Sequence, residues 1–239
     1  MSEAGLKNRI ALITGASRGI GRATARLFAR QGAHVLLLAR TKKSLEPVDD
    51  EIKALGGTAS LIPLDLADGK KIDPLGPALY ERFGRLDILV GNAALLGGLR
   101  PLTHIASETW DRVLAVNVTA NWRLIRTLDP LLRRSDAGRV IFVTSSNVAH
   151  SARPYWAPYS VSKAALETLA KTYANETADS PIKVNIVDPG ATATGMRAEA
   201  YPGEDQATLQ TPEEAADAII RLALPSYAQT GQIVGVKGS

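Results

Sequence analysis

Short runs with no polar face recur along this chain, and each is followed by a stretch with helical spacing. RIALIT (9–14) and HVLLLA (34–39) are apolar on both sides of a pleat. Strands of that kind must be covered on both faces. Between them, SRGIGRATARLFARQGA sets Ile20, Ala23, Leu27 and Phe28 at helical spacing and stops at Gly32. The alternation continues with strands near 59–64, 86–91, 139–144 and 182–187, and with GQIVGV at 231–236. Helical patterns fall at 44–57, 69–83, 107–134, 156–178 and 212–224. Seven such strands alternating with helices predict one α/β domain over 1–239, a doubly wound parallel sheet with helices on both faces. The irregular stretch 190–211 follows the carboxyl end of a strand, where folds of this class place their ligands, and is expected to be a substrate lid.

Composition narrows the function classes. Hydrophobic residues make up 45% of the 239, which fits a packed core and argues against disorder. No apolar run approaches the roughly 20 residues needed to span a bilayer. The opening MSEAGLKNR carries no apolar signal core. With no cysteine there is no disulfide or thiolate metal site, and a cytoplasmic location is the simplest expectation. The net charge of +4 comes from 28 basic and 24 acidic residues that are scattered, so neither a nucleic-acid partner nor a membrane surface is expected. The three histidines, His34, His104 and His150, form no cluster, and no metal is expected. His150 has no carboxylate partner in sequence reach and reads as a polar loop residue.

The first strand runs into TGASRGIG, with Gly15, Ser17, Arg18, Gly19, Ile20 and Gly21 at a strand-to-helix turn. Glycines there let the backbone approach a pyrophosphate, and the helix N-terminus supplies free N–H groups and a positive dipole end. A carboxylate at the end of the second strand would read a ribose 2′-hydroxyl. This chain has Ala39, Arg40 and Thr41 there instead. Arg40 is suited to a charge-assisted bond with a 2′-phosphate.

The spacing G-x-x-x-G-x-G within T-G-x-x-x-G-x-G resembles the short-chain dehydrogenase/reductase family. That resemblance implies a Rossmann-type sheet with strand order 3-2-1-4-5-6-7. It brings Arg18 beside Arg40, which favours NADP(H) over NAD(H). It implies that Asp65, followed by Leu66, contacts the adenine and that Asn92 and Ala93 line the cofactor. It matches Pro189, Gly190, Thr192 and Thr194 to the segment beside the nicotinamide. Ala94 replaces the family's usual glycine after Asn92, so the backbone there is either ordinary or slightly reshaped. The stretches GNAALLGG, LLRRSDAG and MRAEAYPGEDQATLQT are similar to bacterial YciK-type oxidoreductases, themselves akin to 3-oxoacyl-carrier-protein reductases.

Within PYWAPYSVSK, Tyr159 and Lys163 share a helix face at i and i+4. A cation ~4 Å from the phenol at an effective dielectric of ~20 contributes ~4 kcal/mol, enough to lower a pKa of ~10 by up to ~3 units. Alone, Y-x-x-x-K is common by chance. The resemblance adds Ser146, 13 residues before Tyr159, as catalytic serine, and Asn117 as a residue that distorts its helix and holds a water leading to Lys163. Ser145 fits the spacing less well and reads as structural. The implied activity is hydride transfer between NADP(H) and a small-molecule carbonyl or alcohol, with Tyr159 as acid/base and Lys163 also binding the cofactor. Tyr155, Trp156, His150, Leu96, Met196 and Tyr201 are the expected pocket wall. An NAD(H)-dependent sugar, polyol or alcohol dehydrogenase, or a non-catalytic NADP-binding regulator, are the alternatives. Pairing through the two long helices, into a homodimer or homotetramer, is also implied by the resemblance.

Overall fold

The two-sided apolar runs become the strands of one parallel sheet. In the computed structural model, which describes residues 5–236, they are β1 (Ile10–Thr14), β2 (His34–Ala39), β3 (Thr58–Pro63), β4 (Ile88–Gly91), β5 (Arg139–Val143), β6 (Lys183–Asp188) and β7 (Ile233–Gly235). Their order is β3-β2-β1-β4-β5-β6-β7, every pair parallel. The residues of MSEA and the final KGS lie outside the described residues.

The pleat divides the core in two. Ala11, Ile13, Val35 and Leu37 face one side, packed with Phe28, Val48, Ile52 and Ile219. Leu12, Leu36, Leu38, Val140 and Phe142 face the other, packed with Leu79, Leu124, Leu128 and Leu166. Each fully buried leucine contributes about 1.5–3 kcal/mol. The first layer is supplied by α1 (Gly19–Arg30), α2 (Glu46–Ala54) and α10 (Pro212–Ala223). The second comes from α3 (Gly69–Ile72), α4 (Leu75–Phe83), α6 (Ala120–Leu132) and α8 (Ala157–Glu176).

Three differences from the sequence reading have local causes. The helix expected over 69–83 is broken into α3 and α4 around Asp73 and Pro74, because proline lacks the N–H that would continue it. The helix expected over 107–134 is α5 (Ser107–Leu114), a π-helical turn (Ala115–Thr119) and α6. Between β5 and α8 stands an unexpected short helix, α7 (Ser146–Ser151).

The 190–211 stretch is ordered rather than irregular. It carries α9 (Gly195–Ala200), capped by the Thr194 hydroxyl, and a 3-10 turn at Gln206–Thr208. A bridge between Thr192 and Gln210 closes its neck. Arg197 pairs with Glu204 inside it.

Candidate active site

The strand order reverses between β1 and β4, and the turns leaving their carboxyl ends open one cavity of about 800 Å³. The glycine turn forms its floor. Gly15 sits at φ +65°, a left-handed conformation that a side chain resists. The Asn92 amide donates to the Thr14 carbonyl at 2.9 Å, and the Thr14 hydroxyl accepts from the Asn92 and Ala93 N–H groups, so the two turns brace each other. Arg18 stands at the N-cap of α1 with no side-chain cap, and the first turn of α1 has no acidic residue. The orphan N–H groups of that turn are therefore available to an anion.

Most of the predicted cofactor residues line this cavity. Gly15, Ser17, Arg18, Gly19 and Ile20 do so from the glycine turn, Arg40 and Thr41 from the end of β2. Asp65 and Leu66 follow β3, and Asn92 and Ala93 follow β4. Pro189, Gly190, Thr192 and Thr194 close it beyond β6. Gly21 does not line it. It packs under the turn, where an added Cβ would overlap the Gly15 carbonyl. Ala94 keeps ordinary backbone, and the left-handed conformations in this segment fall at Gly97 and Gly98.

Tyr159 and Lys163 enter the same cavity from α8. Both are buried, at 8% and 2% exposure. Lys163 Nζ lies 5.5 Å from the Tyr159 ring centroid and donates to the Val143 carbonyl at 2.7 Å. Burial, then the Asp188 carboxylate, pushes the phenol well above its usual value. Burial brings Lys163 down to about 8, against the upward pull of Glu167 and Asp188. In the protein alone removal from water dominates at the phenol; the expected lowering by Lys163 together with a positive nicotinamide ring belongs to the cofactor-bound enzyme. Tyr159 is thus held as a proton-bearing phenol.

Asn117 sits at the centre of the π turn, a feature frequent at functional sites. Its amide exchanges two bonds with the Leu95 backbone, at 2.8 and 2.9 Å, and donates to Ser162 at 2.9 Å. Ser162 in turn donates to the Tyr159 carbonyl. Asn117 therefore does not line the cavity; its side chain ties the Leu95 loop to the base of the tyrosine turn.

The serines differ from expectation. Ser145 lines the cavity, whereas Ser146 turns its hydroxyl to Glu167 at 3.2 Å. The cause is a cluster of acceptors behind the turn: Asp188 takes the Ser146 N–H at 2.9 Å and Glu167 takes the hydroxyls of Thr144 and Ser146.

The pocket wall is partly as expected. Leu96, Val148, Trp156 and Tyr159 form an apolar cluster with Met196, Ala200 and Tyr201 against it. Tyr201 packs on Trp156 at 5.8 Å between centroids and accepts from Arg153, but stands behind the lining. Tyr155 is not in the wall. Its φ of +75° turns it outward, 58% exposed, while Trp156 turns in. His150 is not in the wall either, and it has a carboxylate partner: Nε2 lies 2.8 Å from Glu167 Oε2. His34 bonds Thr58 and Ser60 across β2 and β3, and His104 is exposed. Among the described residues no group of three His, Cys, Asp or Glu side chains could hold a metal, and no helix is long and apolar enough to cross a membrane.

Two carboxylates escaped the sequence reading. Glu167 follows Lys163 by four, so Y-x-x-x-K extends to Y-x-x-x-K-x-x-x-E on one helix face, a periodicity that could have shown it. Asp188, just before Pro189-Gly190, carried no such periodic signal.

Residues 9–205 match the family model for short chain dehydrogenases. The chain belongs to the short-chain dehydrogenase family. It is 39% identical over 212 residues to the uncharacterized oxidoreductase YciK of Escherichia coli, covering 87% of this chain and 83% of that one. It is 33% identical over 244 residues to the 3-oxoacyl-[acyl-carrier-protein] reductase FabG of Thermotoga maritima, covering 98% of both. A short chain dehydrogenase from Shigella flexneri, crystallised with NADP, superposes with a TM-score of 0.94 at 35% identity, covering 99% of this chain and all of that one. Membership of this oxidoreductase family accounts for the shared sheet order and for the position of the cavity.

Proposed function

We propose that this protein is an NADP(H)-dependent oxidoreductase that interconverts a carbonyl and a secondary alcohol. The observation that carries the reading is one cavity shared by the glycine turn, the Arg18 and Arg40 pair, and the buried Tyr159 and Lys163. The floor fits a dinucleotide. A side chain at Gly15 would press on Asn92 at 2.9 Å, so only bare backbone leaves the cradle open, and the uncapped start of α1 offers N–H donors to a pyrophosphate. Arg18 and Arg40, with no carboxylate at the end of β2, select a 2′-phosphate. The NADP held by the Shigella relative supports the same choice.

When bound, the nicotinamide supplies or accepts the hydride. The protein supplies the rest. Tyr159 donates its proton to the carbonyl oxygen as general acid. A serine hydroxyl of the turn after β5 donates to the same oxygen and steadies the negative charge developing there. Lys163 would hold the ribose hydroxyls of the bound cofactor and return a proton towards Tyr159. Asn117 keeps the Leu95 loop and the tyrosine turn in register through Ser162. Alcohol oxidation runs the same path backwards.

The wall of Leu96, Val148, Trp156 and Met196 suits a carbonyl with an apolar body. Together with the likeness to a 3-oxoacyl-carrier-protein reductase, it favours 3-oxoacyl thioesters. The 190–211 excursion, which brings Met196 and Ala200 to the cavity, acts as the substrate lid. Trp122 and Val161, exposed on α6 and α8, support pairing of two chains through those helices into a dimer or tetramer. NADPH oxidation against aldehydes, ketones, sugars and acyl thioesters tests the reading. Turnover of an apolar carbonyl is expected, and no turnover of any carbonyl contradicts it.

A further inference from the structure

Three donors of the turn after β5 converge on one side chain of α8. The Thr144 hydroxyl donates to Glu167 Oε1 at 2.6 Å, the Ser146 hydroxyl to the same oxygen at 3.2 Å, and His150 Nε2 to Oε2 at 2.8 Å. Glu167 is 2% exposed, so these bonds stand in place of water. An acid buried this deeply is retained at a cost unless its partners need it. The partners all lie in the seven residues that carry both candidate carbonyl-binding serines.

We infer that Glu167 is a positioning residue: from one helical turn beyond Lys163, it fixes the turn that presents a serine hydroxyl to the carbonyl. Tyr159, Lys163 and Glu167 form one stripe along α8, and each does a different task. The first exchanges the proton and the second holds its partner group. The third never meets the substrate; it sets the distance between α8 and the serine turn. Asp188 complements it from β6, accepting the Ser146 N–H at 2.9 Å and the Gly190 N–H at 3.0 Å, which joins the serine turn to the Pro189-Gly190 segment. His150, largely exposed, closes the carboxylate off from solvent at the far end of α7.

This inference rests on the proposed reductase activity, and its test separates the two. Glu167→Leu removes both acceptor oxygens and so all three hydrogen bonds; Glu167→Gln keeps an oxygen for Thr144 and Ser146. With the carbonyl found by the substrate panel, Glu167→Leu is expected to lower kcat by about tenfold or more, as misplacement of a positioned group does, while KM for NADPH stays within about twofold. Glu167→Gln is expected to recover most of the loss. Hydrogen exchange of the 145–151 amides should quicken in Glu167→Leu and remain slow in Glu167→Gln. A folded Glu167→Leu with the parent kcat and unchanged exchange at 145–151 overturns the inference. Should that variant fail to fold, Thr144→Val removes the 2.6 Å bond alone and is read the same way: a lower kcat at unchanged NADPH KM supports the inference, and the parent kcat overturns it. If the parent protein reduces no carbonyl, the reductase reading fails while the exchange of 145–151 still decides what Glu167 holds.

Discussion

Lys163 stands one helical turn from Tyr159, its ammonium 5.5 Å from the phenol ring centroid and bonded to the Val143 carbonyl. Both groups are buried, and the two respond in opposite directions: the phenol holds its proton more tightly, the ammonium less.

A pH dependence follows from that pair. Lys163 is charged below about 8 and neutral above it, whereas Tyr159 keeps its proton throughout this range. The charged lysine is the form that the proposed mechanism needs to hold ribose hydroxyls and return protons. For NADPH, kcat/KM reports groups of the free enzyme. In the direction of reduction it should be level below pH 8 and fall as pH rises past about 8. A level profile continuing well above that point would show that Lys163 stays charged.

In the proposed reading, cofactor choice rests on Arg18 and Arg40, which line the cavity at the start of α1 and the end of β2. A hydrogen bond to a charged group contributes about 1.5–3 kcal/mol, so Arg40→Ala should raise KM for NADPH by roughly tenfold to a hundredfold. KM for NADH should barely move. Steady-state kinetics with both cofactors checks this, and equal effects on the two would show that Arg40 does not meet the phosphate.

Gly21 makes a different demand. It does not line the cavity, yet it has no room for a methyl group against the Gly15 carbonyl and the Asn92 amide. Overpacking of this kind costs about 1–3 kcal/mol. Gly21→Ala should lower the thermal midpoint and weaken NADPH binding together, because the same turn shapes the cradle. Calorimetry and fluorescence titration read both, and an unchanged midpoint would mean that the turn yields freely.

The sheet was legible in the sequence because parallel strands buried on both faces leave an unmistakable apolar run, and β2 was placed to the residue. The glycine turn was legible because backbone approach to a phosphate admits few alternatives. What escaped depends on direction. Tyr155 and Trp156 are neighbours of like chemistry, and only the left-handed φ of Tyr155 decides which enters the pocket. Ser145 and Ser146 are identical in type, and acceptors from α8 and β6 decide which faces the cavity. The partner of His150 lies 17 positions away on another helix, beyond any local pattern. The opposite pKa shifts of Tyr159 and Lys163 come from burial, which spacing alone does not measure.

The central claim is that Tyr159 delivers the proton in a reaction that NADPH drives. Its most direct measurement is the turnover of Tyr159→Phe beside its NADPH affinity, in one preparation, with a carbonyl the parent protein reduces. Loss of general acid catalysis costs typically 10²–10⁴-fold, so kcat should fall by about that much while the NADPH dissociation constant stays within about twofold. A Tyr159→Phe protein that reduces the carbonyl at the parent rate would contradict the account.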